Sequence, residues 1–177
     1  MIDSILGLAL LLAAAPARAE GTPVEQDARQ CYQLAESDPA RAVGFCTSAI
    51  ESGQLAPAAL ANAFDDRCWA RGNIGQYDLA IADCDAALKL SPQAPFAFGN
   101  RGTAYLHQGQ YERAIADYDR SIALFAARGS GGAEFYFGRA IAYSRLGQKE
   151  RAEADFRRAV ALEPDIEARM AKAGLTR

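Results

Sequence analysis

Residues Tyr111 to Ala126 read YERAIADYDRSIALFA, and the same pattern stands twice more, as YDLAIADCDAALKLSP from Tyr77 to Pro92 and KERAEADFRRAVALEP from Lys149 to Pro164. Their shared alanines, Ala80, Ala114 and Ala152, are 34 and 38 residues apart. Each copy follows a short turn, IGQ, QGQ or LGQ, and each turn follows a segment of helical period: FDDRCWARGN, FGNRGTAYLH or YFGRAIAYSR. Ala42, in ARAVGFCTSAI, lies a further 38 residues upstream of Ala80 and marks a fourth, more diverged copy. The linkers SGQLAP and RGSGG account for the extra four residues in the longer spacings. One helix pair cannot bury its apolar face alone, so a fixed-period repeat of this kind stacks neighbour on neighbour. The pattern predicts an all-α chain of four helix-turn-helix units.

The units resemble the tetratricopeptide repeat (TPR) family, whose signature runs Trp-x2-Leu-Gly-x2-Tyr, then Ala-x3-Phe, then Pro. The third unit reads Phe98-x2-Arg101-Gly102-x2-Tyr105, then Ala114-x3-Tyr118. The fourth reads Tyr136-x2-Arg139-Ala140-x2-Tyr143, then Ala152-x3-Phe156, and closes on Pro164. The second reads Phe64-x2-Arg67-Cys68, then Ala80-x3-Cys84, and closes on Pro92. The resemblance covers most of Glu25 to Pro164, and the wording CTSAIESG, RCWARG and NRGTAY looks like exported bacterial members. It implies a right-handed solenoid in a single domain over 20–177, with repeats at about 24–60, 61–94, 95–128 and 133–166. After Pro164, DIEARMAKAG reads as a capping helix over 165–174, with Asp165 as N-cap and Gly174 ending it.

Across 177 residues, 19 Lys and Arg stand against 22 Asp and Glu, a net charge of −3. That balance argues against bulk attraction to nucleic acid, which needs a basic face. Ile5 to Ala15 is almost unbroken apolar sequence, and Ala17-Arg18-Ala19 offers small residues at the positions a signal peptidase reads. Residues 1–19 therefore read as a signal peptide cut before Glu20, although MIDS lacks a basic residue and carries Asp3. The alternative is a signal-anchor helix, for which roughly 11 apolar residues fall short of the ~20 that a bilayer demands. The expectation is an exported, periplasmic or secreted protein without stable membrane insertion after cleavage. A cytosolic regulator with a misassigned start stands as the other reading.

Numbering each repeat so that its closing proline is position 32 puts Cys68 at position 8 and Cys84 at position 24. In the family's geometry these positions lie at equal height on facing helices and point inward. Cys31 and Cys46 are the equivalent pair once the first unit's shorter turn is allowed for. The expected pairing is Cys31–Cys46 and Cys68–Cys84, consistent with an even cysteine count behind a signal peptide. The alternative is four reduced, buried cysteines acting as small hydrophobes. No Cys-x-x-Cys supports redox catalysis, and one histidine with wide cysteine spacing does not suit zinc.

The signature leucine is arginine in three units, Arg67, Arg101 and Arg139, and the same units carry Asp83, Asp117 and Asp155 just before the second-helix cysteine or aromatic. The first unit has neither, reading Gln30 and Phe45. Joint presence and absence suggests a repeated Arg–Asp brace between helices; the competing reading is a basic stripe for an anionic partner.

No catalytic set, cofactor loop or metal cluster is readable, and His107, beside QGQ, reads as a solvated or turn-packing residue. The family resemblance implies a non-catalytic binding role for the concave face lined by first helices. Positions 2, 5, 9 and 12 would line it: Asn62, Asp65, Trp69 and Gly72; Phe96, Gly99, Thr103 and Leu106; Glu134, Phe137, Ile141 and Ser144. None is basic, so the carboxylate-holding mode of the family's chaperone adaptors is not expected, and an apolar extended segment or amphipathic helix suits the groove better. Trp69 is the leading hot-spot candidate, with core packing as its plain alternative. The expected function is a protein- or peptide-binding adaptor or scaffold in the periplasm. A self-associating structural subunit is the alternative, so a homo-oligomer is possible.

Overall fold

The computed structural model describes residues 21–129, 131–172 and 174–176. The proposed signal peptide over 1–19 lies outside the described residues. Among them the chain is helical: α1 (Pro23–Leu34), α2 (Pro39–Glu51), α3 (Pro57–Asn73), α4 (Tyr77–Leu90), α5 (Pro95–His107), α6 (Tyr111–Ala127), α7 (Ala133–Arg145), α8 (Lys149–Leu162) and α9 (Ile166–Lys172).

Local chemistry fixes where these helices begin. Pro23, Pro39, Pro57 and Pro95 occupy first-turn positions, where a missing N–H costs nothing and the ring presets φ. Thr22 and Glu25 form a capping box ahead of α1, and the Asp38 side chain accepts from Arg41 N ahead of α2.

The turns within the last three units share one geometry. Gly75, Gly109 and Gly147 sit at φ +75, +73 and +73, a left-handed conformation that only glycine adopts without penalty. Each glycine N–H and the following glutamine N–H bond back into the finished helix; Gln110, for example, donates to Tyr105 O at 2.9 Å. The same glutamine then starts the next helix, so Gly-Gln both closes one helix and reverses the chain into its partner.

Each helix pair packs tightly, and each second helix also packs on the first helix of the following unit. The first helices α1, α3, α5 and α7 touch one another in succession, whereas among the described residues no contact joins one second helix to another. Packing the first helices closer than the second ones curves the stack and puts α1, α3, α5 and α7 on its inner face. Short α9 packs on α7 and α8, standing where the first helix of a fifth unit would stand. A glycine at φ +78, Gly174, closes it, and Leu175 N donates to Met170 O, bringing both apolar side chains into the core.

The interior differs between the two halves. From Tyr105 to Leu175 one continuous cluster is built on Tyr118, Phe125, Phe135, Phe137 and Phe156, with Ile166 and Met170 of α9 closing it. Phe125 stacks on Phe135 at 5.5 Å between centroids, and Phe137 meets Phe156 edge-on at 5.2 Å. Glycines make room for these rings: a Cβ on Gly99 would strike Phe135, and one on Gly138 would strike Tyr118. Upstream, the clusters are small and built on alanine and cysteine, around Cys68 and Cys84 and around Ala35, Ala42 and Ala70.

Tyr118 lies fully buried between units three and four, its hydroxyl 3.0 Å from Thr103 Oγ1. Tyr118→Ala is expected to destabilise the downstream half by about 3–5 kcal/mol, as large-to-small aromatic substitutions in cores do. Leu79→Ala, at a half-exposed site, should stay within about 0.5 kcal/mol. Urea unfolding followed by near-ultraviolet circular dichroism checks both.

Candidate functional site

Two internal networks hold the inner face in position. In the first, the side chains of Cys31 and Cys46 meet sulfur to sulfur between α1 and α2, with Cα atoms 4.8 Å apart. Cys68 and Cys84 do the same between α3 and α4, with Cα atoms 5.5 Å apart. The corresponding positions downstream hold a small residue facing a ring: Gly102 against Tyr118, and Ala140 opposite Phe156. Cysteine pairs thus occupy, in the first two units, the place that aromatic-on-small packing occupies in the last two.

The second network is electrostatic. Arg101 holds Asp117 with two parallel bonds, Nε to Oδ2 at 2.7 Å and Nη2 to Oδ1 at 2.8 Å. Arg139 holds Asp155 in the same way, at 2.7 and 2.8 Å, and Arg67 holds Asp83 at 2.8 and 2.7 Å. Each guanidinium lies near the ring one helical turn earlier, Phe64, Phe98 or Tyr136.

The remaining nitrogen does what the sequence reading missed. Nη1 of Arg67, Arg101 and Arg139 crosses to the second helix of the preceding unit, meeting Thr47, Asp85 and Asp119 respectively. Those three occupy one equivalent position, immediately after Cys46, Cys84 and Tyr118. Each arginine therefore ties its own helix pair to the previous one. The signal was present as DCD and DYD, where the fourth unit reads DFR.

The inner face encloses a groove of about 1090 Å³. Ala28 and Tyr32 of α1, with Glu36 beyond it, form one wall; α3 supplies Asn62, Asp65, Asp66, Trp69 and Asn73; α5 supplies Phe96, Asn100 and Thr103. Glu134 and Phe135 of α7 and Arg169, Met170 and Lys172 of α9 finish the far end, with Leu175 beyond them. Tyr32 is 72% exposed and Phe96 51%. Trp69 has a double role: it packs against the cluster of Ala35, Ala42 and Ala70 while also facing the cavity.

Of the residues expected in the groove, Asn62, Asp65, Trp69, Phe96, Thr103 and Glu134 line it. Leu106, Phe137 and Ile141 do not: all three are buried in the downstream core. The reason is α9, whose Ile166 and Met170, together with Leu175, join Phe137 and Ile141 in that core and cover the last unit's inner face. Gly99 is sealed under Phe135, Gly72 borders a smaller cavity of about 190 Å³, and Ser144 is exposed outside both. His107 stacks on Tyr77 at 5.0 Å, and burial lowers its pKa.

The groove's charges are unevenly compensated. Arg169 is paired with Glu163 at 2.6 Å and with Glu134 at 3.5 Å. Asp65 accepts from Asn100 Nδ2 at 2.9 Å, yet burial still pushes its carboxyl up to about 6. Burial, and then the neighbouring Asp65 charge, push Asp66 up to about 7. Carboxyls, amides and aromatics thus line a long open trough.

A curved stack of helix pairs with a residue-lined inner trough defines the class of superhelical repeat scaffolds. Residues 93–163 match the tetratricopeptide repeat family model. That match covers part of the chain, and proteins of the family generally mediate protein–protein interactions. Among solved structures it is similar to residues 41 to the end of MamA from Desulfovibrio magneticus RS-1, at 23% identity and a TM-score of 0.64, over 83% of this chain and 79% of that one. It is likewise similar to a thermophilic TPR protein of Thermus thermophilus, at 18% identity and a TM-score of 0.69, over 85% and 80%. The second TPR of Spaghetti (RPAP3), bound to the HSP90 peptide SRMEEVD, matches at 25% identity and a TM-score of 0.54, over 66% of this chain and 99% of that one. No curated protein sequence matches.

Two outcomes follow from this geometry. Arg101→Leu leaves Asp117 buried without its partner and should destabilise by ~3–5 kcal/mol, the usual penalty for breaking a buried pair from one side; chemical denaturation measures it. Asp65 and Asp66 bind protons more tightly folded than unfolded, with values raised from 3.8 to about 6 and about 7. Their contribution to stability therefore falls as pH rises through that window. Asp66→Asn should gain stability relative to wild type at about pH 8, and that advantage should shrink as pH falls below about 7 and vanish near pH 4, in parallel urea titrations.

Proposed function

We propose that this protein is a non-catalytic adaptor that holds a segment of another protein in its inner groove, in an oxidising compartment reached by export, the bacterial periplasm. The observation that carries the reading is the groove itself, an open trough whose exposed Phe96 and Tyr32 and half-buried Trp69 have no covering element among the described residues. Rigid aromatics at the centre of a concave surface are the usual anchors of a protein contact. The family match over 93–163 supports the binding role. For export, the support is the Ile5–Ala15 apolar run with Ala17-Arg18-Ala19, and the facing of all four cysteines in two pairs.

Crosslinked capture from the native compartment, comparing wild type with Trp69→Ala, tests the groove. The expected result is a specific partner held by wild type and lost from a variant that keeps its helical spectrum. Equal capture by both, or no specific capture, would remove the groove from the account. Intact mass of the native protein tests the compartment: two disulfides and an N-terminus at Glu20 are expected. Four free thiols or a retained Met1 would overturn export.

A further inference from the structure

Asp65 and Asp66 stand out among the buried and half-buried carboxylates. Asp83, Asp117 and Asp155 each receive a two-bond arginine contact. Asp65 has only a neutral amide, from Asn100, and Asp66 has no cation; among the described residues no Lys, Arg or His pairs with either. Two adjacent carboxylates that are partly withdrawn from water repel each other, and neither is compensated by a positive charge. A chain that supplies arginines repeatedly elsewhere leaves this pair open on the groove wall.

The surroundings specify what would compensate them. Four carboxylates line the groove, Glu36, Asp65, Asp66 and Glu134, against two cations, Arg169 and Lys172, and Arg169 is already engaged by Glu134 and Glu163. The near end of the trough, between α1 and α3, is therefore net acidic. Trp69 follows Asp65 by four residues on the same helix face, a spacing that sets an indole one turn from the carboxylate. Carboxylates beside an indole are the chemistry that holds a Lys or Arg head-group, by ion pairing and cation–π contact together. Tyr32 and Phe96, on either side, are the apolar surfaces its neighbours would meet.

Building on the binding role proposed above, we infer that the groove's guest is a basic-apolar segment of a partner protein, one Lys or Arg flanked by apolar residues, with the cation on Asp65 and Asp66 beside Trp69. The polarity is opposite to that of a groove that clamps an acidic peptide tail.

The test uses the full-length oxidised protein against a randomised dodecapeptide library whose ends are embedded in the display scaffold, at mildly alkaline pH. Enriched peptides should share a Lys or Arg flanked by apolar residues. The best arginine peptide is then titrated beside its citrulline analogue, which keeps the shape and loses the charge. Against wild type, citrulline should weaken binding about tenfold or more, and against an Asp65→Asn, Asp66→Asn double variant by no more than about twofold. The carboxamides preserve side-chain shape, and an unchanged helical spectrum shows that the variant is folded. Enriched peptides that bind through Trp69 but carry no basic residue, or an equal citrulline penalty in both proteins, would overturn this inference and leave the adaptor reading standing. A library that yields no binder would overturn both.

Discussion

The architecture depends on the contact between position 8 of each first helix and position 24 of its second. There the two helices of a unit meet, and whatever fills the space sets how closely they approach. In the downstream half, rings fill it: Tyr118 over Gly102 and Phe156 opposite Ala140. In the upstream half the fill is Cys31 with Cys46 and Cys68 with Cys84. An alanine-rich interior such as that around Ala35, Ala42 and Ala70 offers little apolar area per residue, so its burial stabilises weakly. Once oxidised, each facing pair would close a loop of about 16 residues and add about 3 kcal/mol in the chain-entropy picture, enough to offset the missing rings. The groove's best-furnished wall, α1 and α3, stands on this thinner half, so the cysteine pairs bear directly on the shape of the binding surface.

The arginines work at right angles to that contact. Position 8 against 24 joins the two helices of one unit, while Arg67, Arg101 and Arg139 each join their unit to the one before through Thr47, Asp85 or Asp119. A guanidinium has enough donors to hold a carboxylate at two points and still reach a third oxygen; a lysine does not. The clamps sit away from the inner face, so the scaffold keeps its positive charge occupied and leaves the groove with an acidic excess.

Much of this was legible in the sequence because repeats multiply each signal. Four cysteines at equivalent positions say more than one pair would, and an Arg–Asp pair absent together from the first unit identifies itself as a pair. The groove was harder to read, for two physical reasons. Register positions describe an interior unit, whose inner face is bounded by similar neighbours on both sides; the last unit instead meets α9, and Phe137 and Ile141 are covered by Ile166, Met170 and Leu175. An inner helix face also spans more than one residue per turn, so Asp66, Asn73 and Asn100 line the trough beside the expected Asp65, Trp69 and Phe96. Repetition gives no clue to Asp66, because its importance lies in the partner it lacks.

Amide hydrogen exchange, compared between the oxidised protein and the protein after reduction and alkylation, tests the dependence on position 8 and 24 most directly. The account predicts that protection falls across α1–α4, residues 23–90, while α5–α9, packed on the aromatic core, keep theirs. Protection unchanged in α1–α4, or lost equally along the whole chain, would contradict it.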